Sequence, residues 1–490
     1  MAVTTTQKTV VLYPSLGVGH LNPMVELAKV FLRRGQAVVI AVVNPPDKDA
    51  VSADALGRLA AANTAITFSL IPVPSRGKDH HYPHPVMRTI DVLRAANPAL
   101  REFLRTLPAV DALVVDMFCV DALDVAAGLG IPAYFFFASA VGDLAVMLHL
   151  PYYYPTAPSS FKDMGKTPLH FPGVPPIRAL DMATTMRDRE SETAKERLRQ
   201  CARMPEATGI LVNSFDWLEA RALEAIRNGL CTPDRTMPPL YCIGPLVLPG
   251  GHTRGSNGER HPCIEWLDAQ PDRSVVFLCF GSLGTFSAAQ LRDIAHGLQN
   301  SGHRFLWVVR DPPEHKSSSI SVEPDLEALL PESFSEKTSD RGFVVKNWAP
   351  QAEVLRHGAV GAFVTHCGWN SVLEGIVSGV PMIGWPLYAE QRLNKVHVVE
   401  EMKVGVAVEG YEEDLVKAEE VEAKVRLVME SEEGSKLRER IAMAKEMAAD
   451  ALKEGGSSDV AFDEFMKDLE NDSSESRKKS FIHANGRGTE

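Results

Sequence analysis

The feature that most constrains the fold of this chain is a repeated alternation of short apolar runs with segments of helical apolar spacing. Val10–Tyr13, Ala37–Val43 and Ala112–Val115 are continuous apolar runs, and His20–Arg34 has apolar residues at helical spacing. Continuous apolar runs are typical of strands covered on both faces, and their alternation with helices indicates crossover units in a parallel sheet. The sequence therefore predicts an α/β fold with doubly wound sheets.

A second alternation of the same kind follows a stretch of linker composition. Residues 246–262 are rich in glycine, proline and polar side chains. The apolar runs beyond them are Val275–Cys279, Arg304–Val309, Phe343–Lys346, Ala362–Thr365 and Met382–Gly384. At 490 residues the chain also exceeds what one hydrophobic core usually organises. We expect a first domain at 1–245, a linker at 246–262, a second domain at 263–470 facing the first across a cleft, and a disordered tail at 471–490.

Composition and charge exclude several classes of protein. A net charge of −12 argues against nucleic acid or anionic membrane as the main partner. The seven cysteines are scattered and never spaced C-x-x-C, which favours buried thiols in a reducing compartment over disulfides or zinc. The apolar run at the amino terminus is too short for a signal peptide, and Asp143 interrupts the longest apolar run, Tyr134–Leu150. We therefore expect a cytoplasmic protein without membrane insertion.

The stretch from Trp348 to Gln391 contains a polar turn between a strand and a helix. The buried strand Ala362–Thr365 is followed directly by the sequence HCGWNS at 366–371 and then by helical spacing. The first N–H groups of a helix have no partner inside the helix, and its dipole adds positive charge, so such a turn can hold an anion. Asn370 and Ser371 are also good helix caps, so the turn alone leaves anion binding and simple capping equally open.

The whole 44-residue stretch resembles the donor-sugar signature of the plant secondary-product UDP-glycosyltransferases. It has Trp at the first position, HCGWNS in the middle, an acidic residue plus Gln at the end, and no gap. The resemblance implies the two-domain GT-B fold, in which the last helix crosses back to the first domain. It also implies a UDP-sugar as co-substrate, with no metal or other cofactor, and we expect a monomer.

The same resemblance implies a role for each donor-side residue. Trp348 would stack on the uracil ring, and Gln351 and Glu374 would accept hydrogen bonds from ribose hydroxyls. A glutamine at the last position accompanies a preference for glucose in the resembled family. The full implied donor set is Ser282, Trp348, Ala349, Gln351, His366, Trp369, Asn370, Ser371, Glu374, Glu390 and Gln391.

The loop after the first strand resembles the catalytic histidine loop of this family. It reads strand-Pro-x-x-Gly-x-Gly-His-x-x-Pro-Met, and the histidine of this pattern is His20. Asp116 closes a later strand at the position of the partner aspartate. A histidine at a helix start is by itself more often a capping side chain. The resemblance implies instead that His20 is a general base oriented by Asp116. Asp121 and Asp124, at helical spacing, are interpreted as a solvated face or cap.

The resemblance further implies an inverting transfer of glucose to a hydroxyl of a small lipophilic acceptor, and the phrase VVDMFCVDALDVA is similar to the flavonoid and phenol branch. The acceptor candidates are Gly19, Met117, Phe118, Phe137 and Ser139, with the variable loop Met182–Gln200 nearby. Asp47-Lys48-Asp49 is formally D-x-D, a metal pattern elsewhere, and is interpreted as a surface turn.

Two other classes of protein remain open from the residues. A dinucleotide-dependent oxidoreductase would carry G-x-G-x-x-G, and Asn22 stands where its third glycine belongs. A non-catalytic UDP-sugar-binding homologue would lack His20 or Asp116, and both are present. Within the enzyme class, terpenoid alcohols, hormones or xenobiotics as acceptors, and transfer to carbon or nitrogen, also remain open.

Overall fold

Two parallel sheets organise the chain, and each belongs to its own compact unit. The computed structural model describes residues 9–45, 53–74, 82–247, 260–313 and 323–485, with side chains for all of these except 53–55 and 473–485. The first unit comprises Met1–Leu246 and Ala451–Glu490, and the second comprises Val247–Asp450. Most of the predicted linker, residues 248–259, and the D-x-D triplet at 47–49 lie outside the described residues.

In the described part of the first unit, seven strands form a parallel sheet in the order β3-β2-β1-β4-β5-β8-β9. Its inner strands are continuous apolar runs, because crossover helices cover both faces. β6 and β7 form a separate antiparallel pair. The strands are β1 (Thr9–Tyr13), β2 (Ala37–Asn44), β3 (Thr67–Pro72), β4 (Ala112–Asp116), β5 (Ala133–Phe137), β6 (Pro168–Leu169), β7 (Ile177–Arg178), β8 (Gly209–Val212) and β9 (Leu240–Cys242).

The helices of the first unit connect these strands. The first begins two residues earlier than the apolar spacing predicts, at Val18, because Gly17 with φ 92° makes the turn into it. The predicted variable loop Met182–Gln200 contains two helices, α6 and most of α7. The helices are α1 (Val18–Arg33), α2 (Ala53–Ala62), α3 (Pro85–Thr106), α4 (Ala122–Ala127), α5 (Val141–Tyr153), α6 (Thr184–Arg187), α7 (Glu192–Arg203) and α8 (Ala220–Arg227).

In the described part of the second unit, six strands form a parallel sheet in the order β12-β11-β10-β13-β14-β15. The order reverses direction at β10 and β13, and ligands of doubly wound sheets bind outside the carboxyl ends of strands at such a point. The strands are β10 (Val275–Cys279), β11 (Arg304–Val309), β12 (Gly342–Lys346), β13 (Val360–Thr365), β14 (Met382–Gly384) and β15 (Gly405–Ala407).

The helices of the second unit lie between and after these strands. A short π-helical segment, His397–Glu401, directly follows α15. The helices are α9 (Pro262–Asp268), α10 (Ala288–Ser301), α11 (Leu326–Leu329), α12 (Phe334–Lys337), α13 (Gln351–Arg356), α14 (Trp369–Ser378), α15 (Gln391–Val396), α16 (Ala418–Glu430) and α17 (Glu432–Leu452).

The last helix, α18 (Ser457–Asn485), packs on the sheet of the first unit. The ring of Phe465 lies 5.0 Å from that of Tyr134, and the Tyr134 hydroxyl donates to Asp472 at 2.7 Å. The expectation of a disordered tail from residue 471 is therefore wrong as far as Asn485. The physical reason is that residues 471–485 contain neither proline nor glycine, so the anchored helix continues through this stretch.

The cysteines behave as the sequence predicts. All seven lie in the described ranges, are buried and form no disulfide. Burial raises the pKa of Cys279 to about 11 and that of Cys367 to about 12, so these thiols stay protonated near neutral pH. Within the described residues, the helices include none with the length and apolar character of a membrane span.

Candidate active site

His20 and Asp116 lie together at the carboxyl edge of the first sheet. His20 is the third residue of α1, which follows β1, and Asp116 ends the neighbouring strand β4. Nδ1 of His20 is 2.8 Å from Oδ2 of Asp116, a residue with 1% of its surface exposed. Because a carboxylate only accepts, this bond places a proton on Nδ1 and makes Nε2 the basic nitrogen of the neutral ring. The His20 side chain is 31% exposed, so its ring is accessible to a small molecule.

The residues after β4 fix the orientation of the aspartate. The N–H of Phe118 donates to Oδ1 of Asp116 at 3.0 Å, so both carboxylate oxygens accept a hydrogen bond. The Phe118 ring also meets the His20 ring edge-on, with 5.4 Å between their centroids. Phe118 therefore contacts both members of the pair, once through its backbone and once through its ring.

The five acceptor candidates offer very different amounts of surface. Gly19 is exposed, and Met117 and Phe118 are partly exposed close to His20. Phe137 is completely buried, and Ser139 is buried with its hydroxyl donating to Asp143 at 2.7 Å. Phe137, the last residue of β5, and Ser139 are therefore buried in this structure, whereas the other three candidates offer some surface.

Asp121 and Asp124 belong to an ion-pair network and neither caps α4 with its side chain. Asp121 accepts from Arg94 and Arg199, and Asp124 accepts from Arg203 at 2.7 Å, which ties α4 to α3 and α7. Burial raises the pKa of Asp121, but the hydrogen bonds and charges of Arg94 and Arg199 outweigh it and lower the pKa overall. These two aspartates are therefore structural ion-pair partners.

Four turns at the carboxyl edge of the second sheet carry the donor candidates. Each turn contains a residue with left-handed backbone, and such a conformation costs non-glycine residues about 1–3 kcal/mol. A donor candidate follows each of these residues within two positions. The left-handed residues are Gly281 (φ 73°), Asn347 (φ 63°), Cys367 (φ 63°) and Ala389 (φ 54°). The second unit thus shapes its binding edge mainly with the backbone.

His366 lies between two of these turns and is almost completely buried. A Cβ atom added at Gly281 or at Gly368 would lie 2.5 Å from its Nε2, so both positions need glycine to make room for the imidazole. Burial lowers the pKa of His366 to about 4, which keeps the ring neutral near pH 7. Its Nδ1 has no hydrogen-bond partner among the described residues.

The helix after β13 begins earlier than the sequence predicts. α14 starts at Trp369 with Gly368 as its N-cap, so Asn370 and Ser371 lie in its first turn and are not caps. Among the residues that the structure describes, no side chain caps this helix, and its first turn carries no acidic residue. The amino end of α14 therefore retains the positive end of its dipole beside the turn, which is the electrostatic requirement for holding a phosphate.

One residue that the sequence did not suggest holds this turn in place. Asn394 of α15 is completely buried, and its Nδ2 donates to the carbonyl of Cys367 at 2.9 Å. The bond links the strained Cys367 to the helix that begins at Gln391. The only sequence signal was a polar residue on the apolar face of a short helix.

Gln351, Ser371 and Glu374 form a hydrogen-bonded cluster between α13 and α14. Nε2 of Gln351 donates to Ser371 at 2.8 Å and to Oε2 of Glu374 at 2.6 Å. Burial raises the pKa of Glu374, and the bond from Gln351 partly offsets this. The carbonyl oxygen of Gln351 and the carboxylate of Glu374 can still accept hydrogen bonds from the hydroxyl groups of a sugar nucleotide.

Trp348 presents an indole face to solvent. Its side chain is among the exposed large apolar groups, at 55% exposure, while the adjacent Ala349 is buried. The ring of His261 meets it edge-on at 5.8 Å and supports it from one side. An exposed aromatic face on a supported ring suits stacking on a planar base.

The far end of the motif is held by Gln391. Its Oε1 accepts from the N–H groups of Leu387 and Tyr388, both at 2.9 Å, so its amide NH₂ remains as the donor end. Glu390 is partly exposed next to it, whereas Trp369 and Gln391 are buried. Ser282 is exposed in the turn after β10. The second unit thus brings the predicted donor residues to turns or helix starts of one sheet edge, except Glu374, which lies in the middle of α14.

The described residues contain no group of three or more histidine, cysteine, aspartate or glutamate side chains placed to hold a metal ion.

Comparison with known proteins identifies the family. The family described as "UDP-glucoronosyl and UDP-glucosyl transferase" matches residues 237–438. The chain is 42% identical over 464 residues to the anthocyanidin 5,3-O-glucosyltransferase of a Rosa hybrid cultivar, covering 92% of this chain and 96% of that protein. It is also 42% identical to the phloretin 2'-O-glucosyltransferase of Pyrus communis, with 92% and 97% of the two chains covered.

Solved structures that resemble this chain belong to the same kind of enzyme as these relatives. A Polygonum tinctorium UDP-glucosyltransferase capable of glucosylating indoxyl, in a complex with 3,4-dichloroaniline, matches with a TM-score of 0.86 and 34% identity, covering 95% of this chain and 99% of that one. UGT2 of Phytolacca americana, complexed with UDP-2-fluoro-glucose and pterostilbene, matches with a TM-score of 0.84 and 35% identity, covering 94% and 100%. The oxidoreductase alternative is therefore wrong. The chain belongs to the UDP-glycosyltransferase family and is a UDP-sugar-dependent glycosyltransferase with the GT-B fold.

Proposed function

We propose that this enzyme transfers glucose from UDP-glucose, with inversion, to a hydroxyl group of a flavonoid or other phenol. The observation that carries the proposal is the pair of His20 and Asp116, 2.8 Å apart, in a chain that also has the complete donor motif. In this assignment the first unit binds the acceptor and the second binds the donor.

The proposed chemistry is one displacement. Nε2 of His20 removes the proton from the acceptor hydroxyl as its oxygen attacks the anomeric carbon. The bond from that carbon to the β-phosphate oxygen breaks, and its electron pair leaves with UDP. Attack from the side opposite UDP converts the α-linked donor into a β-glucoside. Asp116 holds the imidazole in the required tautomer and stabilises the imidazolium that forms.

The donor side stabilises the leaving group in this proposal. The amino end of α14, Ser371, Ser282 and the neutral His366 would contact the diphosphate, whose negative charge grows as UDP departs. Trp348 would stack on the uracil ring, and the cluster of Gln351 and Glu374 would accept from the ribose. The remaining residues of the motif, Trp369, Asn370, Glu390 and Gln391, would contact the sugar and its phosphates.

The choice of glucose and of a phenolic acceptor rests on two supports. The named relatives are glucosyltransferases of anthocyanidin and of phloretin, which are both phenols. The glutamine at position 391 offers an amide donor beside the carboxylate of Glu390, a set suited to vicinal sugar hydroxyls. We also place the enzyme in the reducing cytosol, which its buried free thiols support, and we propose that it is a monomer.

The first test is turnover of the full-length enzyme with UDP-glucose and a panel of flavonoids, simple phenols and terpenoid alcohols, without added metal. We expect β-glucosides of the phenols, with the anomeric configuration read from the proton coupling in NMR spectra. An α-glucoside would contradict the single displacement. Faster turnover of terpenoid alcohols, or transfer to carbon or nitrogen, would contradict the acceptor assignment and leave the donor site unchanged.

A further inference from the structure

Two side chains of helix α7 contact Phe118, the residue that also contacts His20 and Asp116. The guanidinium carbon of Arg197 lies over the Phe118 ring, 4.5 Å from its centroid. One turn along the helix, Nε2 of Gln200 donates to the carbonyl of Phe118 at 3.3 Å. Nη1 of Arg197 also donates to Oε1 of Gln200, so the two side chains act as one clamp.

Both members of this clamp are buried, with Arg197 6% exposed and Gln200 1% exposed. Burial of a charged side chain is unfavourable unless its contacts compensate, and a desolvated cation over an aromatic face is a strong form of that contact. The other arginines of α7 differ from Arg197. Arg199 and Arg203 pair with Asp121 and Asp124 in more exposed positions.

We propose that Arg197 and Gln200 are positioning residues for the catalytic base, acting through Phe118. Phe118 can transmit their effect, because its backbone N–H donates to Asp116 and its ring contacts His20. This inference rests on the proposed role of His20 as the base. Most of α7 lies in the predicted variable loop Met182–Gln200. The inference assigns this helix a function in proton removal from the acceptor.

The physical consequence is a loss of alignment rather than a loss of binding. Without the clamp, the Phe118 ring can rotate and its carbonyl can shift, so the imidazole no longer points steadily at the acceptor hydroxyl. Small misplacements of a reacting group reduce the rate of the chemical step by up to about 100-fold. The donor residues lie in the second unit, so binding of UDP-glucose should not change.

The test compares two acceptors of similar size in the full-length enzyme. At about pH 8, 4-methylphenol is protonated and needs the base, whereas 4-nitrophenol is largely ionised and does not. We expect Arg197→Met to lower kcat with 4-methylphenol by roughly 10- to 100-fold. With 4-nitrophenol it should lower kcat by less than about threefold. The KM for UDP-glucose should change by less than about twofold. Arg197→Lys, which keeps the charge without the planar stacking, should fall between.

Arg199→Met is the matched control, because it removes an arginine from the same helix without touching Phe118, and it should keep the wild-type rates with both acceptors. Equal losses with both acceptors in Arg197→Met and Arg197→Lys would mean that Arg197 only supports packing, and would overturn the inference. His20→Ala distinguishes a failure of this inference from a failure of the proposed function. If His20→Ala lowers kcat much more with 4-methylphenol than with 4-nitrophenol and Arg197→Met does not, the positioning role of Arg197 is wrong and His20 remains the base. If His20→Ala lowers kcat equally with both acceptors, the proposed role of His20 as the base is wrong as well.

Discussion

In the first unit, side-chain hydrogen bonds hold His20 and Asp116 together, whereas in the second unit the backbone holds His366 by leaving no room around it. His20 is partly exposed and its partner lies 96 residues away in the sequence. His366 is buried and neutral, and it lies against Gly368 of its own motif and Gly281 of the turn after β10. The difference matches the two tasks that we propose for them.

A base has to change its protonation state during each turnover, so it needs a charged partner and access to the acceptor. A diphosphate site has to present N–H groups in fixed positions, so it needs a rigid turn and an uncapped helix end. We infer that the first unit supplies chemistry through a side-chain pair, and that the second unit supplies donor binding through backbone shape. Substitutions should therefore separate turnover from donor binding.

The largest effect is expected for His20→Ala. Loss of general-base catalysis should lower kcat by about 10²–10⁴-fold while the KM for UDP-glucose changes little. Steady-state kinetics with a weakly acidic phenol would measure both. His170→Ala is the control, because His170 is an exposed histidine of the same unit. If the affinity for UDP-glucose falls by the same factor as kcat, the proposed separation of turnover from donor binding is wrong.

A smaller effect, of roughly 10- to 100-fold in the KM for UDP-glucose, is expected for Gly281→Ala. The added methyl group would meet Nε2 of His366 at 2.5 Å and displace the ring or the turn. Gly302→Ala is a matched control, because Gly302 has a nearly identical φ of 72° and nothing within 4 Å. If both variants lose donor binding equally, backbone strain and not the contact with His366 is responsible.

The buried neutral His366 also predicts a pH dependence of stability. The unfolded histidine has a pKa near 6.5, and the folded one has a pKa of about 4. Between these values the unfolded state binds a proton that the folded state does not, so stability is full above pH 6.5 and falls as the pH decreases toward 4. From pH 7 to pH 5 the loss should be about 2 kcal/mol.

Urea unfolding of the wild type and of His366→Asn at both pH values would measure this loss. The wild type should lose more stability than the variant on acidification, by about the stated amount. An equal loss in both proteins would mean that His366 titrates normally in the folded state.

The smallest of these effects is expected for Gln351→Ala. It removes the amide that bonds Ser371 and Glu374, and leaves the buried carboxylate with one fewer donor. Such a loss is worth about 1–3 kcal/mol, so we expect roughly a tenfold increase in the KM for UDP-glucose at unchanged kcat. Gln270→Ala, which changes a glutamine of the same unit that bonds Arg304, is the control. A lower kcat without a change in KM would contradict a purely binding role for the cluster.

Much of the architecture could be predicted from the sequence, because parallel strands are continuous apolar runs. The donor residues other than Ser282 also lie in one contiguous motif. The pairing of His20 with Asp116 came from resemblance, since no spacing rule joins residues so far apart. The start of α14 at Trp369 was missed because Asn370 and Ser371 are good caps by residue type, and the observed cap is a glycine.

The remaining features depend on tertiary contacts that local patterns do not encode. The left-handed backbone of Cys367 and its bond from Asn394 arise where two elements pack together. The order of α18 beyond residue 471 follows from its docking on the first sheet, where Asp472 accepts from Tyr134. The clamp of Arg197 on Phe118 joins elements far apart in the chain. For the last two of these features, the sequence indicated only a disordered tail at 471–490 and a variable loop at Met182–Gln200.

The separation of chemistry from donor binding is tested most directly by titration calorimetry of UDP-glucose into wild type, His20→Ala and Gly281→Ala, alongside kcat for each. We predict that His20→Ala binds UDP-glucose with wild-type affinity and has almost no turnover. Gly281→Ala should bind more weakly by roughly 10- to 100-fold and retain most of its kcat at saturating donor. If His20→Ala loses donor affinity, or Gly281→Ala keeps it, the assignment of chemistry to the first unit and of binding shape to the second is contradicted.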